Sequence, residues 1–222
     1  MRLQEILNRA PGNVDNPQMR GRRLLLAGML AVIMTATAAC VLPPPSRSVS
    51  VMGSHEVPAA TIAAWYRAST SVTYRASVPV ETLADLFVFE GAREGVRGDI
   101  AFAQAVLETG WFGFPGSVAP THNNFAGIFV GGVPASFGSA TEGVRAQIQH
   151  LRAYADSTAT HCAVPPLNAA CEDPVFHAVM PKGRATTWNA MGNGNWASAT
   201  DYAPKVLMLY NGMRAYAGLP RV

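Results

Sequence analysis

The stretch from Asp99 to Trp111, Asp-Ile-Ala-Phe-Ala-Gln-Ala-Val-Leu-Glu-Thr-Gly-Trp, constrains this chain more than any other. It reads as one helix. Asp99 suits the N-cap, where a short carboxylate accepts from the free amides of the first turn. Gly110 suits the left-handed position just past the end. Ile100, Ala103 and Leu107 share one face, and Phe102 and Val106 share another. A helix that is apolar nearly all round has to be buried, so the rest of the chain must pack around it.

Glu108 is the anomaly in that helix. Burial disfavours a charged carboxylate and raises its pKa, and the negative end of the helix dipole acts in the same direction. Ala101 and Ala105, one and two turns back on its face, are expected to leave open space, with Trp111 and Phe112 as an aromatic wall. A carboxylic acid kept neutral beside a groove is what a glycosidase uses as general acid. A buried Glu paired with an Arg, or holding a loop, is the structural alternative on residue physics alone.

Before this helix, Arg20, Arg22 and Arg23 precede an uncharged run from Leu24 to Leu42. A basic flank followed by an apolar run is an export signal, and the run is also long enough to span a bilayer. Its end, Thr37-Ala-Ala-Cys40, resembles a bacterial lipoprotein signal, with Cys40 as the lipidated residue. Secretion with cleavage after Ala38 and an uncleaved anchor are the alternatives, and Met19 is an alternative start. Residues 1–42 are therefore expected to be a signal or anchor, 43–58 a Pro/Ser-rich linker, and 59–222 the folded domain. Residues 1–39 hold five Arg and two acids, so of 17 basic and 14 acidic residues the remainder keeps 12 of each. A mature charge near zero argues against nucleic acid as a partner.

The remaining periodicity predicts further helices over 60–67, 79–91, 141–154 and 204–217, the second with Pro79 in its first turn. Residues after Asn124 read as a short strand that turns at Gly131-Gly132 and returns over 133–137. The fold class is mainly α (α+β), with one small hairpin. Cys162 and Cys171 lie nine apart in a Pro-containing loop and are expected to form a disulfide in an oxidising compartment. Free thiols, or a metal site with His161 and His177, are the alternatives, although that spacing fits no zinc pattern. No metal and no cofactor are expected. Trp111, Trp188, Trp196 and Tyr202 either line a groove or pack a core.

The segments Ala103–Trp111, Asn123-Asn-Phe-Ala-Gly-Ile128, Gly143–Leu151 and Asp201-Tyr-Ala-Pro-Lys205, in that order, resemble the glucosaminidase family of bacterial peptidoglycan hydrolases (glycoside hydrolase family 73). The likeness runs over residues 78–217. It implies a lysozyme-like helical domain, expected to act as a monomer, that cleaves the β-1,4 bond between N-acetylglucosamine and N-acetylmuramic acid. It makes Glu108 the general acid and Tyr202 an active-site tyrosine. Asn123, Asn124 and Phe125 shape the groove floor, and Trp111, Trp188 and Trp196 join them as substrate-binding candidates. No Asp or Glu occurs between Glu108 and Glu142, where many members of that family place a second carboxylate. Glu142 opens the next helix as its first-turn carboxylate. Asp201 is the substitute base, or else the cap of the last helix. The substrate's own 2-acetamido group is a further candidate, and a non-catalytic wall-binding module is the rival from another class. The partners expected are peptidoglycan strands and, through the N-terminal segment, a membrane.

Overall fold

The computed structural model describes residues 48–162 and 171–222. The signal or anchor, Cys40 and the first part of the expected linker lie outside these residues. Among the described residues there are five α-helices: α1 Ala59–Ser69, α2 Val80–Glu94, α3 Gly98–Glu108, α4 Ala140–Ala155 and α5 Tyr202–Tyr216. One antiparallel hairpin, β1 Phe129–Val130 with β2 Val133–Pro134, completes the regular structure and pairs Val130 with Val133 across the Gly131-Gly132 turn. This is the mainly helical, lysozyme-like architecture with one small hairpin that the sequence predicts.

The fold is arranged around α3, which packs against α2, α4 and α5. Ile100, Ala101, Phe102, Ala103, Ala105 and Val106 are all completely buried. The all-round apolar surface of the helix is thus matched by neighbours on every side. Phe87, Phe102, Phe112 and Phe125 form an edge-on aromatic cluster beneath it. Ion pairs join α2 to α4, with Arg145 on Glu90 and Arg152 on Glu94, each at 3.0 Å. Because those carboxylates are buried, losing the paired Arg is costly.

Three expectations are corrected here. Asp99 is not the N-cap of α3; Arg97 holds that position and Asp99 lies inside the first turn. Its buried carboxylate instead accepts from the backbone amides of Glu56 and Val57, at 2.7 and 3.1 Å, and from the Tyr210 hydroxyl at 3.0 Å. Secondly, the linker expected over 43–58 does not extend through its second half. Residues 48–58 form an arm laid on the domain, with Val49, Val51 and Val57 buried. Its backbone bonds reach Thr186 and Trp188 on one side and Gly95 and Arg97 on the other. Thirdly, Pro79 is the N-cap of α2 rather than a first-turn residue.

The disulfide between Cys162 and Cys171 is formed, with Cα atoms 5.8 Å apart. Cys162 packs with Ala153, Ala159, Phe176 and Val179 in a small cluster beside α4. Among the described residues no group of three or more His, Cys, Asp or Glu side chains is arranged to hold a metal ion. None of their helices is long and apolar enough to cross a membrane.

Candidate active site

Glu108 is the last residue of α3, and the chain leaves it through a run of left-handed residues. Gly110, Trp111 and Phe112 have φ of 56°, 60° and 52°. The Thr109 hydroxyl closes this turn, donating to the Ala105 carbonyl and accepting from the Phe112 amide. The turn drives the Phe112 ring into the core and sends Trp111 towards α1. There the Trp111 ring packs on Trp65 and Tyr66, and its carbonyl accepts from the Tyr66 hydroxyl. Trp111 therefore belongs to the α1 packing and does not line the cavity at Glu108.

The Glu108 carboxylate meets two donors on one oxygen. Oε1 accepts from the Tyr202 hydroxyl at 2.5 Å and from Trp196 Nε1 at 3.0 Å. Oε2 has no hydrogen-bond partner among the described residues and borders a cavity of about 300 Å³. The cavity walls include Phe114, Pro115, Val118, Asn124, Gly127 and Phe129, and Glu108 is their only titratable residue. Burial raises the Glu108 pKa above the ordinary carboxylate range; the bonds from Tyr202 and Trp196 oppose that shift in part. The Tyr202 hydroxyl is pushed well above its usual pKa, first by burial and then by the Glu108 carboxylate beside it. Ala101 and Ala105 leave no open space, because neighbouring elements bury both; the cavity lies beyond the end of the helix instead.

Tyr202 comes from the first turn of α5, and its placement depends on two glutamines. Gln104 Nε2 donates to the Tyr202 hydroxyl at 2.8 Å, and Gln147 Nε2 donates to Gln104 Oε1 at 2.8 Å and to the Ala101 carbonyl at 3.1 Å. Both glutamines are fully buried. Gln104 lies one turn before Glu108 and was visible as a polar break in the apolar run. Gln147 interrupts the stripe of Val144, Ile148 and Leu151 on α4; a polar residue in an apolar stripe was the available signal for it.

Trp196 is held from behind. Its ring lies 4.9 Å from His150 and 5.5 Å from Tyr154. His150 Nδ1 in turn lies 2.8 Å from Asp173, two residues past the disulfide.

The Asn-Asn-Phe segment shapes the cavity mostly from beneath. Asn123 sits in the left-handed region and bonds Ser77 and the Phe137 carbonyl. Asn124 lines the cavity and fixes the hairpin, donating to the Ile128 and Ala135 carbonyls and accepting from the Ile128 amide. Phe125 is fully buried in the aromatic core. Gly143 permits α4 to rest on this segment, since a Cβ there would fall 1.8 Å from the Asn123 carbonyl oxygen.

Two further candidates lie elsewhere. Trp188 is completely buried in the core and presents no ring face to a ligand. Asp201 occupies the N-cap position of α5 but makes no side-chain cap bond. Its carboxylate is 60% exposed and pairs with Lys205 at 2.8 Å. The Lys205 partner holds it below the usual Asp range. Glu142 is a first-turn carboxylate as expected, bonded to the Gly138 amide, while Ser139 caps α4. A larger cavity of about 490 Å³ runs along α5 and contains none of the expected site residues.

A single carboxyl whose pKa burial raises, one oxygen fixed and the other facing a cavity, at the end of a buried helix is an arrangement of the glycoside-hydrolase kind. The family model described as "Mannosyl-glycoprotein endo-beta-N-acetylglucosaminidase" (Glucosaminidase) matches residues 84–215, and the chain belongs to that family. It is 35% identical over 130 residues to an uncharacterized protein of Borreliella burgdorferi, a match covering 57% of this chain and 59% of that relative. The chain thus spans less than two thirds of that relative's length. No solved structure matches.

Proposed function

We propose that this protein hydrolyses peptidoglycan at the β-1,4 bond between N-acetylglucosamine and N-acetylmuramic acid, with Glu108 as the general acid. The observation that carries this reading is the unpartnered Oε2 of Glu108, on a carboxyl whose pKa burial raises, beside Gly127 of the cavity wall. In this mechanism Oε2 gives its proton to the glycosidic oxygen as the bond to the anomeric carbon breaks. The carboxylate left behind is stabilised by the donors already on Oε1. Water then supplies the hydroxyl at the anomeric carbon and returns a proton.

The cavity walls hold no second carboxylate among the described residues. This favours the substrate's 2-acetamido group as the partner of Glu108 over a protein base. The same observation gives some weight to a second reading, a wall-binding module that hardly cleaves. The Cys162–Cys171 disulfide supports placement outside the reducing cytoplasm. Export through residues 1–42 and lipidation at Cys40 form part of the proposal, as does a membrane tether for the domain.

Digestion of purified peptidoglycan with the full chain tests the reading. New reducing-end N-acetylglucosamine is the expected product. Binding to the sacculus without new reducing ends would establish the binding module instead.

A further inference from the structure

The hydrogen-bond chain behind Glu108 has a direction, and a backbone carbonyl sets it. The Ala101 carbonyl oxygen can only accept, so Gln147 must turn its amino group towards it. The same amino group then faces Gln104, which must answer with Oε1. Gln104 is left to present its own amino group to the Tyr202 oxygen. The tyrosine has one proton and now receives a donor on its oxygen, so its proton goes to Glu108 Oε1. Reversing Gln147 would set its Oε1 against the Ala101 carbonyl, and reversing Gln104 would set two amino groups face to face. The arrangement leaves Gln147 Oε1 buried without a hydrogen-bond partner among the described residues. An unpaired buried acceptor is destabilising, so simple packing gives no reason for a Gln here.

We propose that Gln104 and Gln147 are positioning residues that commit the Tyr202 proton to Oε1 of Glu108 and thereby confine the acid's transferable proton to Oε2. Neither glutamine touches the cavity. Gln147 acts through Gln104, and Gln104 through Tyr202. An oxygen that already accepts two hydrogen bonds, from Tyr202 and Trp196, is a poor site for a third hydrogen. The remaining oxygen is the one that borders the cavity. Bonds along such a chain also polarise one another, which strengthens the last one. The inference rests on the reading of Glu108 as general acid for its catalytic meaning, but not for its structural content.

The groups that bear on Glu108 are few. Tyr202 approaches from α5 and Trp196 from the loop before it. His150 of α4 and Asp173 stand behind Trp196. The cavity wall adds no charge.

The test measures the Glu108 pKa directly in the full-length chain, by carbon NMR of labelled glutamate assigned with Glu108→Gln. In Gln147→Met the Gln104 amide is free to turn, so Tyr202 donates to Gln104 for part of the time and the carboxylate loses part of its support. The Glu108 pKa is expected to rise by about half a unit, and by about one unit in Tyr202→Phe. The alkaline limb of kcat/KM should move with it, because the acid must be protonated to act. Adding Gln147→Met to Tyr202→Phe should produce no further shift. Gln104→Met removes the competing acceptor, so Tyr202 keeps donating to Glu108, and adding Gln147→Met in that background should produce no shift. An unmoved Glu108 pKa in folded Gln147→Met overturns the proposal, as does a Gln147→Met shift that persists without the tyrosine hydroxyl or without the Gln104 amide. Full hydrolysis by Glu108→Gln would instead overturn the general-acid reading and leave the pKa result standing, so the two failures are distinguishable.

Discussion

Gly127 leaves Oε2 of Glu108 uncovered: a methyl group built on Gly127 would stand 3.5 Å from that oxygen. The distance is an ordinary contact, but Gly127 has φ of +61°. A side chain in this left-handed region costs about 1–2 kcal/mol. Gly127→Ala should therefore lower stability by about that amount. It should lower hydrolysis further, since the methyl occupies space through which a glycosidic oxygen reaches Oε2. Melting and turnover measured on one preparation decide the point; turnover that falls only with the folded fraction argues against Oε2 as the reacting oxygen.

Glu108→Gln keeps the shape of the side chain and removes the proton. General acid catalysis contributes roughly 10²- to 10⁴-fold, so turnover should fall by that order. Its effect on stability has a definite sign. The folded state holds the Glu108 proton above the pH at which the unfolded chain releases it. Folding is therefore penalised progressively as pH rises from the unfolded pKa through the raised folded one. The Gln variant lacks that penalty and should melt above the wild type at neutral pH, with the gap closing below the unfolded glutamate pKa. A constant gap across the titration would remove the assignment of a raised pKa.

The disulfide closes a loop of nine residues' separation. Opening so short a loop with Cys162→Ala and Cys171→Ala should cost roughly 2–3 kcal/mol in the chain-entropy model. Asp173 lies two positions from Cys171 and holds His150, against which Trp196 packs. The same variant should thus weaken the Trp196 bond to Glu108 and reduce turnover at temperatures where it remains folded. Equal melting temperatures with and without reductant would show that the bridge contributes nothing.

Asp201→Asn should leave both melting temperature and turnover near the wild-type values. The carboxylate makes no cap bond and is spent on an exposed pair with Lys205; such pairs contribute little. A turnover loss of about 10²-fold or more would restore Asp201 as a base.

The helices were legible because their apolar spacing is a local property, and α3 was the clearest because nothing but burial suits it. Glu108 was legible for the same reason, as the one acid beyond the first turn of that helix. The residues around it were less so. Trp188 read equally well as a groove residue or a core residue; Val49 lays its carbonyl on the Trp188 amide, and the ring is enclosed in the core. Residues 48–58 have linker composition, but their partners lie near Gly95 and Thr186, and no local pattern reports a pairing across 140 positions such as Val49 with Asn189. Gln104 and Gln147 meet only in three dimensions.

The arm has a mechanical consequence. Val49, Val51 and Gly53 are fastened by backbone bonds of 2.7–3.0 Å to Trp188, Thr186, Arg97 and Gly95. In antiparallel pairing such bonds lie across the chain direction, so traction from ahead of Ser48 strains several together. The tension passes next to Glu56 and Val57, whose amides are held by Asp99 at the start of α3. Glu108 ends the same helix, about 14 Å further along at the usual rise per residue. One helix thus joins the point where the arm is fastened to the carboxyl proposed as general acid, and a pull on the arm is borne first by these crosswise bonds.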